Sequence, residues 1–289
     1  MTLMITGTVV LLFVAFLLWG TGLHEARAQS SLKKDFEQSL AQQAATTGGD
    51  TTATSQAPPA PTGSAVAVIR IPKIGVDKAV VEGVGVPDLR KGPGHYPGTP
   101  LPGQPGNAAI AGHRTTYGAP FYNLDQLTNG DEIDVTTLQG QFRYVVDRTQ
   151  VVRPNQLEVL APTLESRLTL TTCNPRFSAS QRLVVSAVLA GQPTAPPAAT
   201  TPTTAVTAGS PPPASLDDPS GPAGDGAARF QTAVWGVITA ALAFGVYRLA
   251  RRRRPWWRRF GVYVLGALPV GFALFLFFEN INRLLPANF

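Results

Sequence analysis

The chain is nearly devoid of cysteine: Cys173 is the single example in 289 residues. That scarcity excludes an intramolecular disulfide framework and any multi-cysteine metal site. Histidine is almost as scarce, so acid–base chemistry by an imidazole is confined to His24, His95 and His113. Charged residues make up only 15% of the chain, and its net +6 has a local source. Seven arginines (Arg248, Arg251, Arg252, Arg253, Arg254, Arg258 and Arg259) sit in one short stretch, and without them the net charge would be −1. A basic groove for nucleic acid is thereby excluded. The chain also has no phosphate-cradling glycine motif and no βαβ alternation, which argues against a nucleotide-binding α/β domain. No acidic cluster suits calcium, so neither a cofactor nor a metal is expected.

Long uncharged apolar runs, by contrast, are present. Residues 2–23 contain no charge before Glu25 and are long enough to cross a bilayer. A cleaved signal peptide is the competing reading, because Ala26-Arg27-Ala28 has a small-x-small form. The missing basic leader and the length of the run favour an uncleaved anchor. Residues 230–247 and 260–278 are two further spans; Pro269 in the last is tolerable in lipid. A buried hairpin of a soluble protein is the alternative. The arginine-rich connection, with Trp256 and Trp257 at its centre, argues for a cytoplasmic loop between two membrane helices. That orientation puts the N-terminus inside and the long segment 22–229 outside the cytoplasm. The expected location is therefore the cell membrane, multi-pass, with the folded domain extracytoplasmic.

The expected organisation is an N-terminal anchor at 1–24 and a flexible stalk at 25–64. A folded domain at 65–191 and a Pro/Thr/Ala-rich linker at 192–228 follow. Beyond these come a membrane helix at 229–249, an Arg-rich loop at 250–259, a membrane helix at 260–280 and a short tail at 281–289. Within the stalk, 32–40 has the makings of a short amphipathic helix. The linker has too few large apolar residues to fold. Tethers on both sides would confine the domain to a shell near the membrane.

Between the tethers the pattern is that of an all-β fold. Short apolar or alternating runs at 65–71, 77–84, 107–113, 132–135, 141–151, 167–173 and 183–190 are separated by Gly, Pro, Asn and Asp clusters. Such spacing indicates a barrel or sandwich. Residues 123–127 are the best place for a single helical turn.

Two strand ends carry chemistry. One closes with AlaGlyHisArg at 111–114, and the other is ThrLeuThrThrCys at 169–173 followed by Asn174-Pro175. A thiol attacks as thiolate and needs a base nearby. An imidazole moves the proton, and an arginine suits a developing oxyanion. An unpaired thiol is unusual in an oxidising compartment. It is either a small buried residue or a reactive one. By residue type alone His95 competes with His113, and Arg176 with Arg182. His24 lies at the membrane edge and is a poor candidate.

These motifs resemble those of the sortases. ThrLeuThrThrCys at 169–173 is similar to the family's nucleophile strand, AlaGlyHisArg at 111–114 to its histidine strand, and the arginine opening the next strand selects Arg182. The run from Gly94 to Gly118 is similar to class E members from actinobacteria, and the likeness covers roughly 66–190. The resemblance implies an eight-stranded sortase β-barrel with flanking transmembrane helices. It implies a cysteine transpeptidase with Cys173, His113 and Arg182 as catalytic residues, and Thr172 and Tyr117 as substrate-binding residues. It further implies cleavage of a C-terminal LPxTG/LAxTG-type sorting signal between Thr and Gly through a thioacyl intermediate. The expected partners are sorting-signal-bearing surface proteins, a lipid-linked peptidoglycan precursor amine and the membrane. The C-terminal spans also resemble pilin-polymerising sortases. The aromatic Asp-Pro lid motif of that class is missing from 28–64, which favours anchoring. A hydrolase that releases its intermediate to water and a non-catalytic membrane-tethered binding module are the other readings.

Overall fold

A computed structural model describes residues 2–16, 20–47, 60–191, 226–251 and 256–284. The chain divides into two compact units, one helical and one built around a β-barrel.

The helical unit contains α1 (Thr2–Ala15) and, from the C-terminal end of the chain, the two long helices whose ranges follow. After α1 come α2 (Thr21–Thr47) and the one-turn α3 (Val86–Leu89), both in the barrel unit, and then α4 (Gly226–Arg251) and α5 (Trp256–Leu284). Residues 229–251 and 260–281 are long and apolar enough to cross a membrane. They contain the two C-terminal spans expected from sequence. Their apolar side chains face outward, Leu265 and Leu268 among the most exposed. A buried hairpin in a soluble protein would show the reverse. Glycines let α4 and α5 approach closely, with Gly266 against the Val246 side chain. Phe13 of α1 and the following Phe16 pack at steep angles against Phe278 and Phe275 of α5, with centroids 5.1 and 5.2 Å apart.

The barrel has eight strands: β1 (Ala65–Ile71), β2 (Val76–Glu82), β3 (Gly94–His95), β4 (Asn107–Ala111), β5 (Glu132–Thr137), β6 (Gly140–Val152), β7 (Arg167–Asn174) and β8 (Gln181–Leu189). They close in the order β1-β2-β3-β4-β7-β8-β6-β5. Closure removes every exposed sheet edge. Pairing is antiparallel except for β2–β3 and β4–β7. All seven expected strand runs match within two residues at either end; 77–84 overshoots β2 and 107–113 overshoots β4, each by two. The two-residue β3 escaped the pattern because Gly94–His95 is too short to show a period. The expected helical turn is the 3-10 turn Leu124–Gln126.

Side-chain alternation sorts each strand into two faces. Ala108 and Ile110 of β4, Leu168 and Leu170 of β7, and Leu183 and Val185 of β8 fill the barrel interior. Their neighbours point outward. Ala109 and Ala111 pack outside the barrel with Tyr96, beneath Val152 at the end of β6 and Leu157, Val159 and Leu160 of the β6–β7 connection. Asn107 pins that connection, donating to the carbonyls of Val159 (3.0 Å) and Ala161 (3.2 Å) and accepting from Thr169 (2.7 Å). The outer face of β4 and β7 is therefore flanked by packed side chains rather than bare.

The segment expected to be a flexible stalk differs. Residues 25–47 belong to α2, 48–59 lie outside the described residues, and 60–64 form a turn joined to β2 by Gly63 N–H donating to Glu82 O at 2.7 Å. The anchor expected at 2–23 is helical over Thr2–Ala15; residues 17–19 lie outside the described residues, and Thr21 already opens α2. The composition of α2, rich in Ala, Gln, Leu, Glu and Lys, favours a helix. Thr21, Glu25, Gln29, Leu32 and Phe36 are all buried and repeat every three or four residues, so they form one stripe. That stripe lies on the barrel. Gln29 donates to Ala79 O (3.0 Å) and Lys91 O (2.8 Å) and accepts from Ala79 N–H (2.7 Å), as a neighbouring strand would. Leu32 packs with Ala79 and Val81, and Glu25 pairs with Lys78 at 2.7 Å. Most of the linker expected at 192–228 and part of the Arg-rich loop at 250–259 lie outside the described residues.

Candidate active site

Backbone register assembles the site. Strands β4 and β7 run parallel with Ala111 beside Thr171, and Gly112 N–H continues the ladder to Thr171 O at 3.0 Å. Two residues further on, the chains present His113 and Cys173. On the other side of β7, Cys173 is paired directly with Arg182 of β8. Cys173 and Arg182 are thus partners on β7 and β8, and His113 follows the end of β4 by two residues, on the other side of β7. By parity they share the outward face with Ala109, Ala111 and Thr171, away from the barrel interior.

Local sequence explains why the strands end there. Gly112 lies against the Phe121 ring, where an added Cβ would sit 2.6 Å from the ring carbons. Phe121 N–H donates to His113 O at 3.2 Å and folds the following loop back. Thr172 is buried, and its hydroxyl donates to Gly112 O at 2.7 Å. It braces the histidine turn against the nucleophile strand.

Cys173 is half-buried and free. His113 is half-buried, and its Nε2 is buried with no hydrogen-bond partner among the described residues. Burial, and then the positive charge of Arg90, lower its pKa to about 4. The imidazole is therefore neutral near pH 7 and able to accept a proton. Arg182 is buried, its Nη1 donating to Ala179 O (2.9 Å) and Gln181 O (2.8 Å). Those bonds fix the guanidinium at the root of the β7–β8 loop.

The rejected candidates have other partners. His95 lies on β3 with its ring between Glu82 (2.8 Å) and Pro100 O (3.1 Å), and it holds the Pro/Gly-rich loop. Arg176 bonds Asp125 at 3.0 Å and stacks on Tyr122 at 4.4 Å. His24 packs its ring against Tyr117 at 6.4 Å. Tyr117 itself is buried, its ring 5.2 Å from that of His113, and its N–H donates to Thr21 Oγ1 of α2 at 3.2 Å. The residue expected to border the substrate thus lies against the His113 ring.

Three neighbours were not among the expected site residues. Arg90 follows α3, its guanidinium 5.7 Å from the Tyr117 ring. Arg114 donates to Cys173 O at 3.1 Å and to Asn174 Oδ1 at 2.8 Å. Asp125 pairs with both Arg114 and Arg176. Arg114 was visible inside the AlaGlyHisArg motif, but nothing in a strand pattern says that its side chain turns back toward the cysteine.

Comparison with known proteins agrees with this geometry. The sequence model of the sortase domain matches residues 69–190. Sortase D of Bacillus subtilis is 34% identical over 39% of this chain and 57% of its own length. Sortase SrtE1 of Streptomyces coelicolor is 33% identical over 62% of this chain and 53% of its own length. The chain thus spans about half the length of these curated relatives. Among solved structures, sortase E of Streptomyces avermitilis is 41% identical, covers 46% of this chain and 93% of its own, and has a TM-score of 0.42. Residues 69–190 of this chain thus match the sortase domain, and class E sortases are among the chain's relatives.

Proposed function

We propose that the chain is a membrane-anchored sortase that cleaves a C-terminal LPxTG- or LAxTG-type sorting signal between Thr and Gly. It then transfers the protein to an amine of a cell-wall precursor. The observation that supports this most is the direct pairing of Cys173 with Arg182 across β7 and β8, with His113 two residues beyond the end of the neighbouring β4.

The chemistry follows from their states. His113, neutral and shielded, takes the proton of the Cys173 thiol as sulfur attacks the Thr carbonyl carbon. The negative charge that develops on the carbonyl oxygen is stabilised by the Arg182 guanidinium. Collapse breaks the Thr–Gly bond, and the Gly amine leaves with the proton held by the imidazolium. A thioester on Cys173 remains. The acceptor amine gives a proton to His113 as it attacks, and sulfur departs as the new amide forms. The wall formed by Val152, Leu157, Val159 and Leu160 suits the apolar side chain that opens the sorting motif. Thr172 acts through Gly112, and Tyr117 borders the substrate beside His113. Two membrane helices, with the catalytic unit outside the cytoplasm, keep the enzyme near lipid-linked acceptors.

The test is product analysis. The full chain in detergent is incubated with LPxTG and LAxTG peptides and an excess of a glycyl amine, and products are weighed by mass spectrometry. The ligated product supports transpeptidation. The free acid alone would point to a hydrolase, polymerised pilin-type substrate to the polymerising class, and no turnover to a binding module.

A further inference from the structure

Resting on the reading above, we infer that Arg114 is a positioning residue that sets the alignment of Cys173 with His113. The ladder between β4 and β7 stops short of both reactive residues. Its last links are Gly112 N–H to Thr171 O and the Thr172 hydroxyl to Gly112 O. Beyond them, His113 begins a loop and Cys173 stands one residue from the end of β7. Ladder hydrogen bonds between these two strands therefore do not fix the one distance on which proton transfer depends.

Arg114 supplies the missing link. It follows His113 directly, and its Nη1 donates to the carbonyl of Cys173 at 3.1 Å and to Asn174 Oδ1 at 2.8 Å. Its Nη2 reaches Asp125 at 3.1 Å in the turn Leu124–Gln126. One planar fork thus ties together the histidine loop, the nucleophile strand and a third segment. The side chain is 4% exposed, so these charge-assisted bonds are shielded from water.

Energetics favour a geometric role. Burying a guanidinium whose one charged partner, Asp125, is 42% exposed is a poor source of stability, because desolvation offsets the attraction. What the arrangement does supply is direction. A cation held by acceptors on two other segments restrains the Cys173 backbone, from which the side chain projects, relative to the histidine loop. Lysine could not substitute, since a point charge cannot hold the separate acceptors in a fixed plane.

The test uses the full chain in detergent, with wild type beside Arg114→Ala and Arg114→Lys. One readout, amide hydrogen exchange at 112–116 and 173–177, needs no substrate. The other is single-turnover acylation of Cys173 by a sorting peptide, resolved into a maximal rate and a half-saturating concentration. In Arg114→Ala, exchange in those two segments should quicken about tenfold while β5 and β6 keep wild-type protection. Its maximal acylation rate should fall about 100-fold, as expected for a small misalignment, with half-saturation within about twofold of wild type. Arg114→Lys should not restore the rate.

An unchanged maximal rate in Arg114→Ala, a loss in half-saturation alone, or full recovery in Arg114→Lys would each overturn the assignment. If Arg114→Ala does not fold, Asp125→Asn takes its place under the same criteria, with an expected loss of about tenfold. Should the wild-type chain acylate with no sorting peptide, the functional reading fails by itself. Exchange then decides the clamp, and unaltered exchange at 112–116 and 173–177 overturns it.

Discussion

Cys173 and Arg182 are direct partners across antiparallel β7 and β8, the last full pairing but one before the connecting loop. Their side chains therefore leave the sheet on the same face, and a small shift of the loop cannot separate them. Arg176, closer to Cys173 in sequence, is drawn away by Asp125 and Tyr122.

The two arginines should consequently behave differently. Arg182→Ala should lower kcat/KM for a sorting peptide by about 3 kcal/mol of transition-state stabilisation, as loss of an oxyanion donor does. Arg176→Ala should cost under about 1 kcal/mol, because it breaks a half-exposed ion pair. Steady-state kinetics on both variants checks this, and the reverse order would reassign the oxyanion role. Cys173→Ala should leave no turnover, and His95→Gln should retain far more activity than His113→Gln.

The buried imidazole gives a signed pH effect. The ordinary histidine pKa is near 6.5 and that of folded His113 is about 4. Between those values the unfolded chain binds a proton that the folded one does not. Stability from this group is complete above pH 6.5 and falls as pH drops toward 4, by up to about 3 kcal/mol. Urea unfolding of the barrel from pH 7.5 to 4 should show that loss in wild type and a shallower one in His113→Gln. Parallel curves for the two proteins would rule the effect out.

Helix α2 should be an integral part of the catalytic unit. Gly118 has φ +71° and lies against the Glu25 carboxylate, so any side chain there is strained twice. Gly118→Ala should loosen α2 and speed limited proteolysis within 20–47 about tenfold. Burial raises the Glu25 pKa, and Lys78 partly opposes the shift. Lys78→Met leaves that carboxylate unpaired and should cost about 2 kcal/mol near pH 7.5. The cost should shrink as pH falls through the raised Glu25 pKa, where the acid becomes neutral. Undiminished protease resistance in Gly118→Ala would mean that α2 is only loosely docked.

The proposed topology can be read with one introduced thiol. In a Cys173→Ser background, Ser180→Cys puts a cysteine at an exposed position of the β7–β8 loop. A membrane-impermeant maleimide should label it on intact cells. Labelling only after lysis would place the barrel on the cytoplasmic side.

Much of this protein was determined by its sequence alone. Apolar runs free of charge located α4 and α5, because a bilayer requires length and hydropathy whatever the packing. Period-two runs between turn residues located most barrel strands, and ThrLeuThrThrCys and AlaGlyHisArg singled out Cys173 and His113 as candidates by their resemblance to a family pattern. Only the tertiary structure decided the rest. The stripe on α2 is half polar, so a hydrophobic period could not reveal it; Glu25 and Gln29 are buried because Lys78 and the Ala79 backbone lie opposite them. The partners of Arg114 lie 11 to 60 residues away along the chain, where no local pattern reaches. The neutral state of His113 is likewise a property of enclosure, created when Arg90, Tyr117 and the barrel close around a ring that in the free chain would titrate as any histidine does.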